Sequence, residues 1–327
     1  MQYSIIIITK DNKNKVENLV KLLLEEIKRD DFEIIVIEAN KEYSCLPSLN
    51  NIKHIKISYK EAGFSHQRNL GVLHSASKFV IFIDDDVEIE KDWFEKITSN
   101  LCDDVFGAMG AVFPKKENAN FISFCIGVLG HPGGGFRLHF YSKGKIIKLS
   151  QVATCNTIFR KDVILEVGMF NLENRYGSED SDLCLRIIKR YGEKKFLYIP
   201  DALVWHDTHK NLLKMIKWYI RRGMADIDLV ATSKLHWRYI IQTALSFKLF
   251  FAYLVSLFFK PFFLLFLFLW YITQLIKYFF MWKYFDIYKF GFLYRIFTFF
   301  CFPIIKFIAD ISFDIGRIIR LIKKYIS

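Results

Sequence analysis

Three consecutive carboxylates, Asp84-Asp85-Asp86, stand directly behind the apolar run 78–83. Carboxylates crowded at the end of a buried strand are costly unless something positive joins them. A hard divalent cation with oxygen ligands, together with a substrate diphosphate, is the natural partner. Taken alone, the triplet reads equally well as a solvated acidic turn. A second acidic cluster, Gly177-Ser178-Glu179-Asp180-Ser181-Asp182, precedes the helical pattern 183–191. A helix N-terminus favours acidic groups, so Glu179, Asp180 and Asp182 suit capping. A carboxylate there also suits deprotonation of an acceptor hydroxyl. His206, in Trp205-His206-Asp207-Thr208-His209, is either structural or an extra ligand to a carboxylate-bound metal. Arg68, in Gly63-Phe64-Ser65-His66-Gln67-Arg68-Asn69-Leu70-Gly71, can grip a phosphate or a carboxylate through its fork, or make a surface ion pair.

These groups need elements that bring them together. The β-branched run 4–9 and the run 32–37 read as strands buried on both faces, as in a parallel sheet. Between them, Val16, Leu19, Val20, Leu23, Leu24 and Ile27 recur at helical spacing. Strand, helix, strand is a βαβ unit with a right-handed crossover. Further strands are expected at 52–57 and 78–83, with a helix at 65–77. The result is an open α/β fold, whose ligands sit at the carboxyl ends of parallel strands. Thr9, Glu38 and Asp84 to Asp86 all fall at such ends. Residues 107–157 show less regularity, and His131-Pro132-Gly133-Gly134-Gly135 reads as a lid or a plain turn. Helices are expected at 161–167, 180–191 and 211–222, and two short strands at 195–199 and 202–205, parted by Pro200-Asp201.

The chain has 327 residues and a net charge of +12, unevenly spread. Residues 241–327 hold 20 of the 34 Phe and eleven basic against three acidic residues, so eight of the twelve net charges lie there. Long Phe/Leu runs flanked by basic groups suit an anionic membrane surface, not nucleic acid. From 249 to 276 the sole charge is Lys260. The Lys260-Pro261 step leaves open one kinked span, a re-entrant hairpin or two interfacial helices. Residues 290–309 are expected to lie shallowly. Residues 315–326 are expected to form a membrane-surface helix with Arg317, Arg320, Lys323 and Lys324 on its polar side. So many Phe argue against a second soluble core. The division expected is 1–235 and 236–327. The six widely spaced Cys suit free thiols in a reducing compartment. The short run 3–9 lacks the pattern of a secretory leader, so the globular part is expected on the cytoplasmic side of a membrane.

In order and spacing, these pieces resemble family 2 of the inverting glycosyltransferases, whose nucleotide-sugar-binding fold is called GT-A. The resemblance covers residues 3 to about 230. It rests on Thr9 and Glu38 at strand ends, Gly63…Arg68-Asn69…Gly71, Phe82-Ile83-Asp84-Asp85-Asp86 and Asn156…Arg160…Gly168-Met169-Phe170. Gly177-Ser178-Glu179-Asp180-Ser181-Asp182-Leu183…Arg186 and Pro200-Asp201-Ala202…His206 complete it. The resemblance implies that Thr9 and Glu38 border the nucleobase. Arg68, Asp84 and Asp85 would hold the donor. Asp86 and His206 would bind a divalent metal, Mn²⁺ or Mg²⁺. Asp180, beside Glu179, would be the base for the acceptor hydroxyl. The implied reaction transfers a sugar from a nucleotide-sugar, by default a UDP-sugar, with inversion.

Glu38 followed by Ala39 departs from the commoner acidic pair, and Lys10-Asp11 from the commoner Tyr/Arg-Asn. The chain has no Gln-x-x-Arg-Trp, the mark of processive synthases, which favours one sugar per acceptor. The apolar tail favours a lipid-linked or cell-surface glycan acceptor, such as a polyprenyl-linked one. A sugar nucleotidyltransferase would show a Gly-rich phosphate loop after the first strand, and Thr9-Lys10-Asp11-Asn12-Lys13 has no glycine. A catalytically silent membrane scaffold would tolerate loss of the carboxylates and need no metal-dependent nucleotide binding.

Overall fold

The structure is a computed structural model and describes residues 1–102, 104–117, 119–192, 195–233 and 238–326. The elements run β1 (Tyr3–Thr9), α1 (Lys13–Glu26), β2 (Phe32–Glu38), β3 (Ile52–Lys56), α2 (Phe64–His74), β4 (Phe79–Asp84), β5 (Val87–Ile89), α3 (Trp93–Thr98) and β6 (Gly107–Pro114). They continue with α4 (Phe121–Val128), α5 (Gly135–Ser142), β7 (Ile147–Leu149), β8 (Asn156–Arg160), α6 (Lys161–Glu166), α7 (Glu179–Tyr191), β9 (Phe196–His206) and α8 (Leu212–Thr232). After these come α9 (Arg238–Thr243), α10 (Leu245–Ser256), α11 (Phe262–Tyr278), a 3-10 stretch (Phe279–Tyr288) and α12 (Phe292–Ile326).

Among the described residues nine strands join one sheet, ordered β3-β2-β1-β4-β8-β6-β9-β5, with β7 also paired to β9. β3, β2, β1 and β4 are parallel, and β8 turns the sheet antiparallel beside β4. The β-branched runs are continuous because both faces are covered. Ile6, Ile35, Val80 and Phe82 enter one core, while Ile5, Ile7, Val36 and Ile81 enter the other with α1 and α3. Strand order reverses between β1 and β4, where an open α/β sheet leaves a crevice at its carboxyl edge. Register places Thr9 beside Glu38 and Ile8 beside Asp84.

The two strands expected around Pro200-Asp201 are one. β9 runs through Pro200, and its pairing with β6 shifts register between Gly110 and Val112. A bulge accommodates a proline that has no N–H to donate. Asn156 repairs the ladder there, its Nδ2 donating to Ala111 O (2.9 Å) and Ala202 O (2.8 Å), while Trp93 Nε1 donates to its Oδ1. The stretch 107–157, irregular in sequence, holds β6, buried along its whole length, and the helices α4 and α5. Residues 131–134 lie in the turn between those two helices, and Gly135 opens α5.

Among the described residues two stretches are long and apolar enough to cross a membrane, Phe262–Tyr288 and Phe292–Lys324. The helices part around Lys260-Pro261, since α10 ends before this step and α11 begins after it. The expected separation of 290–309 from 315–326 does not occur. They form one helix with Pro303 inside it. Nor do Arg317 and Arg320 form a headgroup-facing side. Arg317 is 4% exposed and pairs with Asp226 of α8 (2.8 Å) and Asp314 (3.1 Å), and Arg320 pairs with Asp228 (2.6 Å). Acidic groups on α8 thus draw the basic side of α12 inward. Glycines allow the approach: a Cβ on Gly223 would lie 1.9 Å from Phe313 O, and one on Gly316 2.0 Å from Ile220 O. The C-terminal region also packs on α4 and α5, with Phe124 stacked on Phe285 (4.1 Å) and Phe136 on Tyr284 (4.7 Å). The boundary expected between 235 and 236 lies outside the described residues.

Candidate active site

The carboxyl edge of the sheet opens into a cleft of about 1310 Å³. β4 ends at Asp84, and the turn before β5 carries Asp85 and Asp86. β9 ends opposite at His206, because β5 and β9 pair with Val87 against His206. This pairing brings Asp84, Asp86 and His206 together, each offering a ligand atom within 4.8 Å of the others. His206 Nε2 lies 3.3 Å from Asp84 Oδ2 and 3.2 Å from Asp86 Oδ1. Burial opposes a charge on His206, yet Asp86 and Asp84 outweigh it and lift its pKa to about 9. Burial would lift Asp84 as well, but His206 and then Arg68 hold it below the ordinary carboxylate range. Burial raises Asp86 despite His206. Two carboxylates that recruit a proton onto a neighbouring imidazole are a site that wants a cation. Oxygen ligands plus one imidazole fit a divalent metal.

Asp85 points elsewhere. Thr9 Oγ1 donates to its Oδ2 (2.5 Å) and Asn12 Nδ2 to its Oδ1 (3.3 Å). Burial, against those two bonds and with Asp86 adding repulsion, lifts Asp85 to about 7. The three aspartates therefore divide: Asp84 and Asp86 face His206, and Asp85 faces the end of β1.

Arg68, on α2 and buried, donates from Nη1 to Glu179 Oε1, and its Nη2 lies 3.7 Å from Asp84 Oδ1. Glu179 is buried, and among the described residues its Oε2 has no hydrogen-bond partner. Asp180 follows at the start of α7 and lines the cleft. Its Oδ1 accepts from Ser181 N (2.7 Å). Ser178, at the helix start, and Gly177 both have positive φ, 64° and 129°. The loop before them is pinned to α2, as Asn69 Nδ2 donates to Phe170 O and Phe170 N to Asn69 Oδ1. Asp182 is the structural member of its cluster, for it holds Arg186 (2.9 Å), whose guanidinium caps Val167 O and Met169 O.

Glu38 is not brought to the cleft. Its carboxylate is fully buried and accepts from Asn40, Ser44 and His54. Sequence reading missed three contributors. Gln67 Nε2 donates to Thr9 O (3.1 Å) and Ile37 O (2.9 Å), tying the ends of β1 and β2. Lys15 lies 2.9 Å from Asp207 and 3.9 Å from Asp86, a cation at the edge of the acidic cluster. Gln67 sits inside a motif already singled out, so its spacing to Arg68 was visible. Asp207 also sits inside a motif already singled out, whereas Lys15, on α1, carries no local signal because its partners Asp207 and Asp86 are distant in sequence.

The family model for glycosyl transferase family 2 matches residues 4–168. Among characterised relatives, the dTDP-rhamnosyl transferase RfbF of Shigella flexneri is 23% identical over 189 residues, 56% of this chain and 62% of that protein. The pre-mycofactocin glycosyltransferase of Mycobacterium tuberculosis is 24% identical over 226 residues, 67% of this chain and 45% of that protein. The chain thus spans under two thirds of the length of either relative. Among solved structures, the mannosyltransferase PcManGT of Pyrobaculum calidifontis, in complex with GDP-Man and Mn²⁺, shares the fold. Its TM-score is 0.51 at 13% identity, over 72% of this chain and 64% of that one. On the family match, and with this sheet order and crevice, the chain belongs to glycosyl transferase family 2 and has a GT-A fold.

Proposed function

We propose that the protein transfers one sugar, with inversion, from a nucleotide-sugar to a lipid-linked or cell-surface glycan acceptor in a metal-dependent reaction. The observation that carries this reading is the convergence of Asp84, Asp86 and His206 at the sheet's crevice, with Asp180 on the same cleft. A divalent cation, Mn²⁺ or Mg²⁺, held by those three ligands would offset charge on the leaving nucleoside diphosphate. Thr9 and Asn12 hold Asp85 in one orientation, which suits it to accept from donor hydroxyls. Glu38 acts from behind, fixing the loop through Asn40 and Ser44 that would wrap the nucleobase. Glu179 positions Arg68 beside Asp84, where the donor phosphates would lie.

Asp180 is the proposed base. Ser181 N holds Oδ1, which leaves Oδ2 for the acceptor proton. Attack from the side opposite the nucleotide inverts the anomeric carbon. A UDP-sugar is the expected donor, by the default of the resemblance. The two apolar stretches suit a seat in the membrane, with residues 1–235 on the cytoplasmic side, where nucleotide-sugars are made. The exposed Phe268 and Leu293 on those stretches would meet lipid.

The test is calorimetric titration of UDP and GDP into the detergent-solubilised full chain, with Mn²⁺ and with a chelator. Nucleotide binding that needs Mn²⁺ and is lost in Asp86→Ala supports the reading. Binding that ignores the metal, or none at all, refutes it.

A further inference from the structure

Each carboxylate offered to a metal already faces a cation of the chain. Asp84 Oδ1 lies 3.7 Å from Arg68 Nη2, and Asp86 Oδ2 lies 3.9 Å from Lys15 Nζ. The two cations differ. Arg68 is buried and bound to Glu179, so its place is fixed. Lys15 keeps 41% of its side chain exposed, and its flexible stem ends in a compact point charge.

The start of α1 puts Lys15 there. α1 follows closely on β1, and two side chains at its amino end reach the acidic groups. Asn12 Nδ2 donates to Asp85 Oδ1 (3.3 Å). Lys15 shares that face of the helix, donates to Asp207 Oδ2 (2.9 Å) and stands near Asp86. Asp207 is itself anchored to the aspartate turn, for its N–H donates to Asp86 O (3.1 Å). Its other oxygen, Oδ1, lies 3.4 Å from Lys210 Nζ. Asp207 therefore has a counter-ion without Lys15, and the charge of Lys15 is in surplus beside Asp86. The described residues that wall the cleft include Lys10, Asn12, Asp86 and Asp207, but not Lys15. Lys15 faces those carboxylates from outside the cleft, so it acts on a bound ion through them.

We propose that Lys15 is a built-in counter-charge of the Asp84, Asp86 and His206 site, a positioning residue that holds down the affinity for a divalent cation without touching cation or donor. The proposal rests on the metal-dependent reading above. The ammonium neutralises part of the acidic cluster when an ion leaves, and it repels an ion that enters. Both effects lower the metal affinity and ease exchange of the ion. A unit charge near 4 Å is worth about fivefold in affinity even at the dielectric of water.

The experiment follows Mn²⁺ binding to the detergent-solubilised full chain through the electron paramagnetic resonance signal of the free ion. Lys15→Met keeps the stem and should tighten Mn²⁺ binding by about fivefold or more. Lys15→Arg keeps the charge and should stay within about twofold of wild type, the scale of a minor change in charge placement. Asp207→Asn leaves Asp86 as the remaining carboxylate beside Lys15 and should weaken binding by a factor similar to the gain in Lys15→Met. At about 1 M salt, where the screening length is about 3 Å, the gap between Lys15→Met and wild type should shrink. Weaker Mn²⁺ binding in Lys15→Met would make Lys15 a plain anchor of α1 and overturns the proposal, as does unchanged binding. UDP and GDP binding at saturating Mn²⁺ is measured alongside. A loss of about tenfold or more in Lys15→Met, the scale of a lost bond to a charged group, would put Lys15 on the donor phosphates and also overturn it. Asp86→Ala separates the two readings. If it abolishes Mn²⁺ binding that Lys15→Met leaves untouched, the counter-charge proposal alone falls. If it binds Mn²⁺ as wild type does, or if neither wild type nor Lys15→Met binds the ion, the metal-dependent reading falls and the proposal with it.

Discussion

Arg317 offers the sharpest test of how the C-terminal helix is joined to the rest of the chain. Its guanidinium, 4% exposed, donates from Nε to Asp226 Oδ2 (2.9 Å), from Nη1 to Asp314 Oδ1 (3.1 Å) and from Nη2 to Thr243 Oγ1 (2.7 Å). Arg317→Met keeps the stem and deletes the charge. Asp314 retains bonds from Ser246 N (2.8 Å) and Ser246 Oγ (2.9 Å). Asp226 keeps one bond, from Tyr239 at 3.3 Å, and becomes a buried carboxylate without a counter-charge. Breaking a buried pair from one side costs about 3–5 kcal/mol. At about 2–4 °C per kcal/mol, the Tm in detergent should fall by roughly 10 °C. Asp226→Leu combined with Arg317→Met removes both charges and should recover about half of the loss. A Tm for Arg317→Met within about 2 °C of wild type would refute the reasoning, since that is under ~1 kcal/mol. A double variant as unstable as the sum of its singles would refute it equally.

Other outcomes follow from the site. Asp180→Asn should keep Mn²⁺-dependent nucleotide binding and slow transfer by about 10²–10⁴-fold, read as sugar incorporated into acceptor; transfer at the wild-type rate would remove Asp180 as base. Metal affinity should rise with pH. His206 holds its proton up to about 9, and a metal must displace it, so the apparent Mn²⁺ Kd should tighten by roughly tenfold per pH unit from 7 toward 9. A flat Mn²⁺ titration over that window would contradict His206 as a ligand. In metal-free protein the same shift stabilises the fold. The contribution is fully present below about 6.5, the unfolded value, and is lost as pH rises through about 9. His206→Gln should flatten that dependence in thermal melts.

Much of the fold was legible because parallel strands covered on both faces announce themselves as β-branched runs, as in residues 4–9, 32–37 and 78–83. Capping chemistry and glycines marked α7 in the same way. What could not be read locally depends on partners distant in sequence. β6, Gly107–Pro114, mixes small and large residues without alternation, yet it lies inside the sheet between β8 and β9 with every residue buried. Pro200 reads as a strand breaker, and only the bulge against β6 and the Asn156 amide allow β9 to continue. Asp84 reads as a donor contact, while the β5–β9 pairing gives it to His206 beside Asp86. Glu38 sits at a strand end as expected, but a loop closes over it. Arg317 and Arg320 match the pattern of a membrane-surface helix. Their true partners, Asp226 and Asp228, lie about 90 positions upstream, and no periodicity reports them.

The most direct measurement is nucleoside-diphosphate release by the purified full chain against a panel of nucleotide-sugars, with Mn²⁺ and with chelator, alongside Asp86→Ala. The account predicts release from one donor, abolished by chelator and reduced more than about 100-fold in Asp86→Ala. Release that survives chelation and the substitution would contradict a reaction centred on Asp84, Asp86 and His206.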